Sequence, residues 1–129
     1  MSVHVVRLGS PRGAHEGPRL GTTRRPPRGV PKSEFATRDF YDVWLPLLAP
    51  SAEVIAWLKA GPMTAQRWNS FARKYRREMQ HPEARQMIAT LAVLSRASDF
   101  AVGCYCEDPS RCHRSLLAEL LHDAGASMA

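Results

Sequence analysis

The chain has 129 residues, 44% of them hydrophobic, which suits one domain around one core. No apolar run approaches the roughly 18 residues that cross a bilayer, and the opening "MSVHVVRLGS" lacks the apolar stretch of a secretory signal. The expectation is a single-domain cytoplasmic protein, 1–129, whose oligomeric state the sequence leaves open. The net charge of +6 is uneven: residues 1–40 carry eight Arg or Lys against three acids, and the other 89 carry ten against nine. A basic N-terminal third attracts phosphate, nucleic acid or another anion, or is a solvated arginine-rich loop.

In chain order, "VHVVRL" (Val3 to Leu8) is a β-branched run that predicts the first strand. A Gly-, Pro- and Arg-rich loop follows at about 9–33, with weak strand character only around Arg19 to Arg24. So long a loop in a compact domain is usually functional or mobile. Pro26 and Pro27 stiffen it before Arg28 and Gly29. "FYDVWLPLL" (Phe40 to Leu48) reads as a buried strand or an irregular core segment, and Pro46 argues against a central strand near its end.

Helices fill the next fifty residues. Ser51 caps a short one that Gly61-Pro62 ends, with Val54, Ile55 and Leu58 on one face. Thr64 caps a longer one whose core stripe is Trp68, Phe71, Ala72, Tyr75 and Met79. His81-Pro82 breaks it and opens a third, with Met87, Ile88, Leu91 and Leu94 facing inward. "DFAVGCYC" (Asp99 to Cys106) reads as a strand covered on both faces. After the turn "EDPS", with Asp108 or Ser110 as cap, a last helix runs from about Arg111 to Ala124 and buries Leu116, Leu117, Leu120 and Leu121. The pattern predicts an α/β fold with a small, largely parallel sheet flanked by helices.

The chemistry concentrates where the last strand meets the last helix, the end of an open sheet where ligands gather. Cys112, His113 and Arg114 fall in the first helical turn, where free N–H groups and a partial positive charge lower a thiol's pKa. Cys112 is therefore the candidate nucleophile and His113 the candidate acid–base group. Arg28, Gly29, Arg24 and Arg114 are candidates for holding an anion, and Cys104 and Asp108 for lining the pocket. No Cys-x5-Arg phosphate loop is present. A zinc or iron site on Cys104, Cys112 and His113, with Cys106 as a third thiol, is an alternative, and no cofactor is expected. Its spacing fits poorly, because neighbours on a helix point about 100° apart. For each cysteine the plainer alternative is a buried packing residue, and Cys106 is assigned there. The function expected is binding of an anionic, phosphate-bearing small molecule, with thiol-dependent chemistry. A nucleic-acid module or a Cys/His metal protein is the alternative.

The run "CYCEDPSRCHRSLLAELL" resembles the C-terminal signature of the bacterial and archaeal domain-of-unknown-function 488 family, through Cys104, Asp108, Pro109, Cys112, His113, Arg114 and Leu117. Upstream, "RRPPRGVPK" matches a family segment at Arg24, Pro27, Arg28, Gly29 and Lys32. Two further segments match through Trp44, Leu45, Ala49, Pro50, Ser51, Arg67, Trp68, Phe71, Tyr75 and Glu78. Three positions depart: Pro26 replaces a usual Trp, Thr23 a usual Asp, and Cys106 a common acid. The resemblance implies a Rossmann-like α/β fold with a three-layer tendency and supplies no reaction.

Overall fold

A computed structural model describes all residues, 1–129. Four strands form one all-parallel sheet: β1 (Val3–Arg7), β2 (Arg19–Gly21), β3 (Val43–Trp44) and β4 (Phe100–Cys104), in the spatial order β1-β4-β2-β3. Four helices, α1 (Ala52–Lys59), α2 (Ala65–Glu78), α3 (Pro82–Leu94) and α4 (His113–Asp123), complete an α/β architecture. Strand β4 lies between β1 and β2 and is buried along its whole length, which accounts for its unbroken apolar sequence. The far edge of β1 is covered by the chain's end, where Val3 N donates to Ser127 O and Ala129 N to Val3 O.

The two caps expected for α1 and α2 are present: Ser51 accepts from Val54 N and Thr64 from Arg67 N. The core joins Trp68, Phe71 and Tyr75 of α2 to Ile88 and Leu91 of α3, Val102 of β4 and Leu116, Leu117 and Leu121 of α4. Burying each such side chain contributes about 1.5–3 kcal/mol.

Two expectations need correction, and one pair of alternatives is resolved. The stretch 9–33 is not one loop, because β2 interrupts it and pairs with β3 and β4. Of the two alternatives for Phe40 to Leu48, the irregular core segment is the one observed and the buried strand is not: Tyr41 and Leu48 are buried, only Val43 and Trp44 are extended, on the sheet's exposed edge, and Pro46–Leu48 is a 3-10 turn. Leu94, expected inside, is 48% exposed, because α3 buries a stripe of Ala84, Ile88, Leu91 and Ala92.

The order of the 9–33 stretch comes from a cation that the sequence did not single out. Arg19 is fully buried. It donates to both Glu16 carboxylate oxygens, at 2.6 and 3.1 Å, and to the carbonyls of Ser10, Pro11 and Asp39. Burial works to raise the Glu16 pKa, but the hydrogen bonds from Arg19 and Gly13 and the charge of Arg19 hold it below the usual carboxylate range. The turn between them needs Gly17: its φ is +77°, and an added Cβ would lie 2.0 Å from Asp99 O.

Candidate functional site: a three-thiol centre at the end of β4

Strand β4 ends at Cys104, and a 3-10 turn at Pro109–Arg111 carries the chain back to α4. Asp108 caps that turn, accepting from Ser110 N and Ser110 Oγ at 2.9 and 2.7 Å. These bonds lower its pKa, and its side chain points to solvent as part of the turn. The turn brings three sulfurs together: those of Cys104, Cys106 and Cys112 all lie within 4.8 Å of one another, and Cys104 and Cys106 are 3.7 Å apart. Cys104 and Cys112 are buried, while Cys106 is exposed and forms the cluster's solvent-facing member.

Cys112 is the N-cap of α4, with extended φ −123° and ψ 143°, and not a residue of its first turn. Its side chain therefore does not follow the helical wheel that separates neighbours. Its sulfur lies 4.0 Å from Nδ1 of His113. His113 opens the helix, is 6% exposed, and packs its ring 5.6 Å from the ring of Tyr75. Its Nε2 donates to Thr22 O at 2.6 Å, since a carbonyl can only accept. That bond places the neutral ring's proton on Nε2 and its lone pair on Nδ1, toward Cys112. Burial pushes the His113 pKa down to about 4, against the opposing pull of the Thr22 carbonyl.

The thiols divide their protons unequally. Hydrogen bonding from Cys104 and Cys112, opposed by burial and aided by the charge of Arg114, moves Cys106 down. The same thiol contacts, with burial, move Cys112 up. The helix-terminal position expected to lower Cys112 is outweighed by its neighbours.

The four arginine-segment candidates are dispersed. Arg114 is buried and donates from Nη1 to Cys106 O at 2.7 Å and Cys104 O at 3.4 Å, tying the strand's end to the helix. Its Nε and Nη2 have no partner in the protein and keep contact with solvent. Arg24 is spent on backbone: Pro50 O at 3.0 Å, Pro46 O at 3.1 Å and Ala49 O at 3.2 Å. Arg28 and Gly29 are exposed, and nothing lies within 4 Å of where a Gly29 Cβ would be. Arg12, paired with Asp39 and Asp42, and the buried Arg19 absorb further N-terminal charge. Beyond the thiols, a groove of about 560 Å³ between α2 and α4 is lined by Trp68, Arg73, Arg76, Ser110 and Glu119, and no cysteine borders it.

The sequence reading counted Cys106 only as a third thiol in the metal alternative and otherwise assigned it to packing. The one available signal was its two-residue spacing from Cys104, which puts both side chains on one face. Thr22 was also missed, because its contribution is a backbone oxygen.

A family model described as the active DUF488-N3 subclade matches residues 3–125. The chain belongs to the DUF488 family. No curated protein and no solved structure matches it. The DUF488 match spans every strand and helix, so the thiol centre sits inside the family's own domain and not in an appended segment. No helix is long and apolar enough to cross a membrane.

Proposed function

We propose that this DUF488 protein binds a small anionic, phosphate-bearing molecule at the solvent-facing side of the thiol centre, where it meets the Cys106 thiol. The observation that carries this reading is the Arg114 guanidinium, anchored through Nη1 beside Cys106 while two of its nitrogens remain without partners. A buried, fixed guanidinium is well suited to an anion, because its ordering is complete before the ligand arrives. Cys106 is the sulfur that reaches solvent, so it makes the first contact with substrate. Cys112 and the Nδ1 lone pair of His113 lie behind it and take up or return a proton. Exposed Arg28 adds long-range attraction.

The test is site-resolved alkylation of chelator-treated, reduced protein, read by mass spectrometry. Anionic iodoacetate is expected to label Cys106 before the other two, and at a higher rate relative to neutral iodoacetamide than with a free thiol. Inorganic phosphate is expected to slow iodoacetate selectively. Equal treatment of the two reagents at Cys106, with no effect of phosphate, would overturn the reading.

A further inference from the structure

The same side chains carry a second inference, which concerns a metal-loaded state in which the thiols are withdrawn from the anion-binding role of the metal-free protein. We propose that Cys104, Cys106, Cys112 and Nδ1 of His113 form a Cys3His site for a thiophilic divalent cation of the zinc class.

Geometry argues for it first. With zinc–sulfur bonds of about 2.3 Å, two sulfurs on one tetrahedral ion stand about 3.8 Å apart. The Cys104–Cys106 separation is 3.7 Å, and that of Cys112 Sγ from His113 Nδ1 is 4.0 Å. The third sulfur completes a triangle no wider than 4.8 Å; His113 Nδ1 stands outside that triangle, beside Cys112, and becomes the fourth donor when the sulfurs rotate toward it. The objection that residues 112 and 113 diverge on a helix does not apply, since Cys112 has extended backbone geometry ahead of the helix.

The histidine supplies the second argument. A metal-bound imidazole usually donates its other N–H to a carbonyl or carboxylate, which fixes the tautomer. His113 already makes this bond to Thr22 O, and its free lone pair faces the nearest thiol. Three soft sulfurs with one imidazole favour zinc-like ions over magnesium or calcium, which take oxygen ligands. Four protein ligands leave no open position, so the ion would tie the β4–α4 turn to β2 and hold the thiols out of reach of electrophiles.

Chelator-treated, reduced full-length protein titrated with cobalt(II) tests this. The expected result is one equivalent bound, with the intense visible absorption of a tetrahedral thiolate complex, bleached by one equivalent of zinc. The zinc form should resist alkylation at all three cysteines. Cys106→Ser, at an exposed position, should weaken cobalt binding at least tenfold while leaving the urea midpoint of the metal-free protein unchanged. Absence of the thiolate–cobalt absorption, or binding unchanged in Cys106→Ser, would overturn the proposal. Labelling of Cys106 in the metal-free protein is a separate readout, so either reading can fail while the other stands.

Discussion

His113 Nε2 lies 2.6 Å from the carbonyl oxygen of Thr22, a residue 91 positions earlier, and both residues are buried. This bond ties the end of β2 to the first turn of α4 and selects the tautomer at the thiol centre. In metal-free protein, nitrogen NMR should show the proton of His113 on Nε2. Replacing the ring by phenylalanine keeps its tilted contact with Tyr75 but leaves the Thr22 oxygen without its donor. His113→Phe should therefore cost about 1–3 kcal/mol in urea unfolding.

The Glu16–Arg19 pair makes stability depend on acid. Asp42 behaves likewise: burial pushes its carboxyl up, but Arg12 and the Arg19 N–H pull it below its ordinary value. Carboxylates with depressed folded pKa values stabilise the fold above their ordinary values of 4.5 for Glu16 and 3.8 for Asp42. That contribution is lost as pH falls below those values and through the lower folded ones. The urea midpoint should drop between pH 5 and pH 3, on the order of the range in which carboxylates titrate. Glu16→Gln should flatten this dependence and cost about 3–5 kcal/mol at neutral pH, because it leaves the buried Arg19 uncompensated.

Gly17 and Gly29 separate clash from backbone strain. Both have positive φ, +77° and +72°, but only Gly17 faces a backbone wall, at Asp99 O. Gly29→Ala should cost about 1 kcal/mol, the strain of the left-handed region alone. Gly17→Ala should cost several times more by thermal or urea unfolding, because β2 must shift away from the start of β4.

Arg114→Lys keeps the charge and removes the planar fork. A lysine cannot hold the carbonyls of Cys104 and Cys106 in the same way. Amide exchange should accelerate in residues 105–112 while the β1–β4 ladder stays protected. The preference of Cys106 for iodoacetate over iodoacetamide should fall toward that of a free thiol.

Local signals carried the helices. Ser51 and Thr64 are caps whose effect extends three residues, and α2 shows its stripe of large apolar side chains. In α3 the buried stripe runs through Ala84 and Ala92, small residues whose burial depends on close approach by neighbours, so Leu94 drew the assignment wrongly. Strand β2 has three residues and no period. It exists because β4 pairs with it and Arg19 is enclosed beneath it, and both are long-range facts. The place of the site was legible from the cysteine spacing and the strand–turn–helix pattern. Its geometry was not: Cys112 reaches Cys104 and Cys106 only because a 3-10 turn folds the chain back, and it faces His113 only because it stands ahead of the helix.

The strand order has a consequence for biosynthesis. β1 is made first, yet its hydrogen-bonded neighbours are β4, beginning at residue 100, and the last three residues of the chain. Until residues 100–104 have left the ribosome, the earliest strand lacks its sheet neighbour, and the middle of the sheet is missing. The helices of the central segment can form during elongation, whereas the sheet can close only once β4 has been made. Nascent chains arrested before residue 100 should expose an unpaired apolar strand and depend on chaperones to stay dispersed.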